Sequence, residues 1–373
     1  MSDPLHSRAA IADLVPYEPG KPAEELMRER GLDSVVKLAS NEGPWGPLPG
    51  AAAAIQAGIA GLNRYPDGAN VLLRAALAER HGVDPAEVVV GHGADSVINN
   101  LSLALLEPGA EVVFGWPSFP SYLLDTRMMG AVPVMVPLTA DHAYDLDAML
   151  AAVTDRTRLV YVCNPNNPTG TMVGRQALAS FLRQLPAHVL PVLDEAYAEY
   201  VTDPEYADGI AEFFRAGECP VVVLRTFSKI FGLAGLRVGY AVAPREIVRA
   251  IDKVRNAFDV TALAQVAALA SLHELEGVQE RVAANAVGRA RLTEAVRALG
   301  MRPVESVANF VCVLLDGSGR ELYERMLDRG VIIRPLDPFG MPNGVRITVG
   351  TDEENDIAIE ALRAVTPAVT PTA

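Results

Sequence analysis

Between Val88 and Val242 short apolar, largely β-branched runs recur: Val88 to Val90, Glu111 to Phe114, Val132 to Val136, Leu159 to Val162, Val189 to Leu193, Val221 to Leu224 and Val238 to Val242. Each is too short for a stable helix, and most are continuous rather than alternating, which is how a strand buried on both faces reads. Helix-like segments lie between many of them, notably Asp95 to Leu106 and Gln176 to Leu185. Strands alternating with helices predict an α/β fold with a mainly parallel central sheet sandwiched by helices.

The pattern changes after the alanine-rich stretch Thr261 to Leu275. Leu292, Val296 and Leu299 stand at helical spacing ahead of Gly300, a helix stop. Strand-like Phe310 to Leu315, helix-like Arg320 to Arg329, strand-like Val331 to Arg334 and Val345 to Val349 follow. Thr351 with Glu354 then opens a last helix through a capping-box pattern. The expected organisation is an N-terminal segment (1–45), a large domain (46–274), a small α+β domain (275–365) and a Pro/Thr-rich tail (366–373). No tandem repeat is present.

A chain of 373 residues, half of them hydrophobic, has material for two cores. Its formal net charge of -14 argues against nucleic-acid backbones and anionic membrane surfaces as partners. Every long apolar run is broken well short of the roughly 20 residues a membrane helix needs, and the N-terminus has no signal-peptide pattern. Cys163, Cys219 and Cys312 have no paired spacing, so neither a disulfide framework nor a zinc site is indicated. The histidines form no local metal-ligand pattern either, and a reducing cytoplasm is the expected location.

Three predicted strands end in polar groups. Leu159 to Cys163 runs into Asn164-Pro165-Asn166-Asn167-Pro168-Thr169-Gly170, Val189 to Leu193 into Asp194-Glu195-Ala196-Tyr197, and Val221 to Leu224 into Thr226-Phe227-Ser228-Lys229. In open α/β sheets ligands bind outside the carboxyl ends of strands. Lys229 lies in an apolar, glycine-punctuated run with Ser228 and Arg237, where an unpaired ammonium is costly to bury. Either it reaches solvent or chemistry consumes its charge, and condensation with a carbonyl does so once the amine loses its proton. Arg237 is a candidate for the nearby cation that lowers the lysine pKa, and with Ser228 it is suited to hold a phosphate. Upstream, Gly91-His92-Gly93-Ala94-Asp95-Ser96 is a glycine turn at a helix start, the kind of place where backbone N–H groups and the helix dipole receive an anion.

These clusters occur in order with Tyr17 to Pro22, Lys37 to Glu42, Arg64 to Asp67 and Arg346 to Gly350. With them the chain resembles the fold-type I pyridoxal-phosphate aminotransferases and, within these, the histidinol-phosphate aminotransferase family, from about Val15 to about Val365. The resemblance implies pyridoxal 5'-phosphate as cofactor, an amino donor and a 2-oxo acid as substrates, and no metal. Lys229 would form the Schiff base and act as general acid/base, and Asp194 would pair with the ring nitrogen. Asn167 and Tyr197 would bond the phenolate oxygen, and Phe119 would stack on the ring. Gly93, Ala94, Asp95, Ser228 and Arg237 would hold the phosphate, joined by Tyr65 from the neighbouring subunit of a homodimer with shared active sites. Arg334 and Arg346 would grip the substrate anion, with Tyr17, Asn41, Tyr65 and Asn167 around it.

Two guanidinium groups suit a phosphate. Gly43, Trp45 and the Asn256 to Asp259 loop depart from the family pattern near the expected substrate mouth. An aminotransferase for phenylalanine or tyrosine would keep almost every motif, and a decarboxylase of the same fold is a further alternative.

Overall fold

The computed structural model describes residues 7–12, 14–16, 18–217 and 219–366. Helix α1 (Ala23–Arg30) and the short strand β1 (Val36–Lys37) precede α2 (Pro49–Gly58) and α3 (Val71–His81). All seven predicted runs then appear as strands: β2 (Val88–Gly91), β3 (Glu111–Trp116), β4 (Val132–Pro137), β5 (Thr157–Cys163), β6 (Leu190–Asp194), β7 (Val222–Thr226) and β8 (Gly239–Val242). They form one sheet in the order β2-β8-β7-β6-β5-β3-β4. Strands β7, β6, β5, β3 and β4 are parallel neighbours, and β8 runs antiparallel to both β2 and β7.

The intervening helices are α4 (Gly93–Leu105), α5 (Pro120–Met128), α6 (Leu146–Ala151) and α7 (Arg175–Gln184), with α8 (Arg245–Val254) and α9 (Ala262–Ser271) after the sheet. The apolar runs within β3, β5 and β7 have their cause here: Val113, Phe114, Val160, Val162, Val222 and Val223 are fully buried in one core with helix residues such as Val97 and Leu101. The edge strand β4 is more open, and Pro133 within it and Pro137 at its end blunt an otherwise exposed edge.

Helix α10 (Leu275–Ala298) leads into β9 (Arg302–Pro303), β10 (Phe310–Leu314), α11 (Gly319–Leu327), β11 (Val331–Ile332), β12 (Arg334–Pro335), β13 (Gly344–Thr348) and α12 (Asp352–Val365). The capping box at Thr351 and Glu354 is present. The run Val331 to Arg334, expected as one strand, divides between two sheets. Val331 and Ile332 pair in parallel with Val36 and Lys37, whereas Arg334 and Pro335 pair antiparallel with Arg346 and Val345. The cause is the N-terminal segment: the Leu38 N–H donates to the Ile332 carbonyl at 2.8 Å, and the Leu38 carbonyl accepts from Thr348 N at 2.9 Å. Leu38 and Ala39 thereby join a second core with Leu26, Val311, Ile347 and Leu362.

Candidate active site

Strand direction decides where the polar ends meet. Cys163 faces Asp194 across β5 and β6, and Asp194 faces Leu224 across β6 and β7, so the three predicted ends open on one edge. The antiparallel β8 begins at that edge, with Gly239 opposite both Gly91 and Thr226. The edge borders a cavity of about 1000 Å³ lined by Asn41, Ala94, Asp95, Phe119, Asn167, Asp194, Tyr197, Ser228, Lys229, Arg237 and Arg346.

Lys229 is partly buried, with its ammonium 3.4 Å from the Ser40 carbonyl and 5.7 Å from the centre of the Tyr197 ring. Burial first, then the charges of Arg346 and Arg237, pull its pKa down to about 8 against the opposing pull of Glu42 and Asp194. The expected role of Arg237 as the acidifying cation is therefore shared, and Arg346 contributes more. Gly43, one of the departures from the family pattern, lies against the lysine backbone: a Cβ there would sit 3.0 Å from the Lys229 carbonyl oxygen.

Asp194 is buried, and its hydrogen-bond donors are neutral: the Tyr122 hydroxyl reaches Oδ2 at 2.6 Å and the Ala196 N–H reaches Oδ1 at 3.1 Å. Burial pushes its pKa up, and these two bonds pull against it. The next residue, Glu195, anchors this strand end from below. Its Oε2 accepts from Arg225 at 2.5 and 2.9 Å and its Oε1 accepts from Gly209 N at 2.7 Å, all buried.

An anion cradle stands at the start of α4. His92 occupies the N-cap position without a side-chain cap, leaving first-turn N–H groups free of that partner. Arg237, in a left-handed conformation at φ 53°, brings its guanidinium over Gly93, where a Cβ would lie 2.7 Å from Nη2, and within 3.4 Å of the Ser228 hydroxyl. Gly239 makes the arrangement possible, since a Cβ there would lie 2.3 Å from Ala94 N. The Asp95 carboxylate accepts from Ser121 at 2.5 Å.

On the opposite wall, Arg346 donates to the Asn167 side-chain oxygen and, at 2.7 Å, to the Ala39 carbonyl, with Phe310 and Phe339 flanking its guanidinium. The Asn41 amide donates to the Tyr197 hydroxyl at 2.8 Å. Phe119 caps α5 and meets Tyr122 edge-on. Arg334 is not on the large cavity: it lines a separate cavity of about 230 Å³ with Glu18 and Lys21, and donates to the Glu18 carbonyl at 2.6 Å. Tyr65 does not reach the cavity either, being 82 % exposed and stacked on Phe258. Tyr17 lies outside the described residues. Three further residues support the site, Tyr122, Phe310 and Phe339. Tyr122 had a signal, one helical turn after Phe119, whereas Phe339 sits in a short turn with no periodicity to mark it.

An open, mainly parallel α/β sheet with a lysine, a carboxylate and an anion cradle at one edge is the architecture of the fold-type I transferases. The family model for aminotransferase class I and II matches residues 33–362, and the chain belongs to that family. It is 46 % identical to the histidinol-phosphate aminotransferase of Moorella thermoacetica over 358 residues, covering 96 % of this chain and 92 % of the relative. The corresponding protein of Akkermansia muciniphila is 46 % identical over 357 residues, 95 % of this chain and 97 % of its own. Among solved structures, the Sinorhizobium meliloti histidinol-phosphate aminotransferase in complex with pyridoxal-5'-phosphate superposes with a TM-score of 0.87 at 30 % identity, covering 97 % of this chain and 99 % of that one. A single mutant of Thermus thermophilus aspartate aminotransferase gives a TM-score of 0.84 at 26 % identity, covering 96 % and 99 %.

Proposed function

We propose that the chain is a pyridoxal-phosphate-dependent histidinol-phosphate aminotransferase, exchanging the amino group of L-histidinol phosphate with 2-oxoglutarate. The observation that carries the cofactor reading is Asp194, a buried carboxylate held by neutral donors and open to the cavity that contains the Lys229 amine. Such a carboxylate suits a cationic ring nitrogen. The cradle of Gly93, Ala94, Ser228 and Arg237 suits a phosphate ester.

Lys229 would hold the cofactor covalently, Asp194 would face its ring nitrogen, Asn167 and Tyr197 its phenolate oxygen, and Phe119 its ring face. When bound, the cofactor supplies an electron sink for the pair released at the substrate α-carbon. With a pKa near 8, the Lys229 amine is readily made neutral close to physiological pH and is suited to take and return the proton at that carbon. Arg346, fixed by Asn167 and Ala39, would orient the substrate anion without having to reorganise.

Identities of 46 % over nearly the whole chain to two histidinol-phosphate enzymes support this substrate. One observation favours an aromatic amino acid instead: Arg334 lines the neighbouring cavity, leaving Arg346 alone of the two arginines on the large one. Comparing kcat/KM for histidinol phosphate, phenylalanine, tyrosine and leucine with 2-oxoglutarate tests the choice. Preference for histidinol phosphate is expected, and preference for phenylalanine overturns it.

We further propose a homodimer in which Tyr65 of each chain completes the partner's phosphate site. Its exposed ring, with Ile59, Leu62 and Leu72 also exposed nearby in the chain, supports this reading. A cytoplasmic location accords with the wide sequence spacing of Cys163, Cys219 and Cys312; among the described residues no helix is long and apolar enough to cross a membrane.

A further inference from the structure

Tyr122 has a position that the roles above leave unexplained. Its ring is fully buried, stacked on Tyr161 at 4.4 Å and 12°, with Phe119 edge-on at 5.7 Å and Phe114 at 6.0 Å. These contacts fix the ring and leave its hydroxyl aimed at Asp194 Oδ2, 2.6 Å away. That length falls in the range of about 2.5–2.7 Å typical of a hydroxyl donating to a carboxylate anion. Ala196 N serves the other oxygen at 3.1 Å, so each carboxylate oxygen has a donor in place before any ligand arrives.

We propose that Tyr122 is a positioning residue: its hydroxyl holds Asp194 as an oriented anion, so that the carboxylate keeps the cofactor's ring nitrogen protonated. The inference rests on the cofactor reading above and adds a residue to it. Other groups facing Asp194 are Asp95 of α4, Tyr161 and Cys163 of β5, Tyr144, Tyr197 and Lys229. Burial holds Cys163, Tyr144, Tyr161 and Tyr197 neutral, while Asp95 pushes the Asp194 pKa up and Lys229 pulls it down. Tyr122 is itself kept neutral by burial and by Asp194, which makes it a donor at all working pH values. Removing the hydroxyl would raise the proton affinity of Asp194 and let the carboxyl take the proton from the ring nitrogen.

The test is Tyr122→Phe, which keeps the stacked ring, beside Tyr161→Phe, which removes a hydroxyl from the same stack but not from Asp194. Holoenzymes loaded with cofactor labelled with nitrogen-15 in the ring are compared by NMR, with kcat and KM alongside. Tyr122→Phe is expected to move the ring-nitrogen signal from the protonated toward the neutral position. It should lower kcat roughly ten- to a hundredfold, the loss expected for one hydrogen bond to a charged group, with KM for the amino donor nearly unchanged. Tyr161→Phe should leave the signal in place. A fluorinated tyrosine at position 122, a stronger donor, should keep the nitrogen protonated to higher pH than wild type. A protonated nitrogen in wild type that stays protonated in Tyr122→Phe, with kcat unchanged, overturns this inference alone. Wild-type protein that takes up no pyridoxal phosphate overturns the cofactor reading and this one with it.

Discussion

Arg334 and Arg346 stand in register on β12 and β13, and their guanidinium groups lie 5.6 and 5.9 Å from the centre of the same Phe339 ring. The ring lines the large cavity with Arg346, while Arg334 lines the smaller one. The Phe339 ring lies between the two cations, and the arrangement gives the arginines unequal tasks. Arg346→Gln is expected to reduce kcat/KM in both half-reactions by more than a hundredfold. Its loss also leaves the buried Asn167 oxygen without this charged donor. Arg334→Gln should cost roughly ten- to a hundredfold with histidinol phosphate and less with glutamate. Equal losses in the two half-reactions would remove the special role of Arg334 toward phosphate.

Lys229 sets the pH dependence of cofactor uptake. Its pKa, about 8, lies below the usual lysine value of 10.5 because burial and Arg346 disfavour the ammonium, so the reactive neutral amine gains tenfold per pH unit below 8 and levels off above. The same shift has a sign for stability: between about 8 and 10.5 the unfolded chain binds the extra proton, so this group's contribution to apoprotein stability rises with pH across that window. Stopped-flow uptake of pyridoxal phosphate should show a midpoint near pH 8, moved upward in Arg346→Gln. Lys229→Ala should show neither the visible absorbance of covalently held cofactor nor multiple turnover.

Tyr65 and Lys229 can be tested as members of different chains. Once Tyr65→Phe alone has been shown to be severely impaired, mixing it with Lys229→Ala under conditions of subunit exchange should restore activity. The heterodimer would contain one site with both wild-type residues. Proven exchange without recovery would count against a shared site.

Gly239→Ala tests the packing behind the anion cradle. A Cβ 2.3 Å from Ala94 N has no flexible side chain to displace, so α4 must move away from β8. Overpacking of this kind costs about 1–3 kcal/mol, which thermal denaturation of the apoprotein would measure. Cofactor affinity should fall as well, because the N–H groups at the start of α4 move with the helix.

Local pattern determined a good deal of this protein. Six buried strands and the open edge strand β4, the capping box at Thr351 and the polar ends Asn167, Asp194 and Lys229 were legible because strand burial, helix capping and turn chemistry each leave a signature within a few residues. Contacts between distant segments leave none. Asn41 meets Tyr197 across 156 residues, and Arg346 meets Asn167 across 179. The order of strands in the sheet, and the division of Val331 to Pro335 between two sheets by the N-terminal segment, decided those pairings. The same holds for the electrostatics: the lysine was visible in the chain, but its low pKa comes from burial and from Arg346, far away in sequence. That Tyr122 reaches Asp194 while Arg334 lies beyond Phe339 was settled by packing, since side-chain periodicity states which face is buried and not what it is buried against.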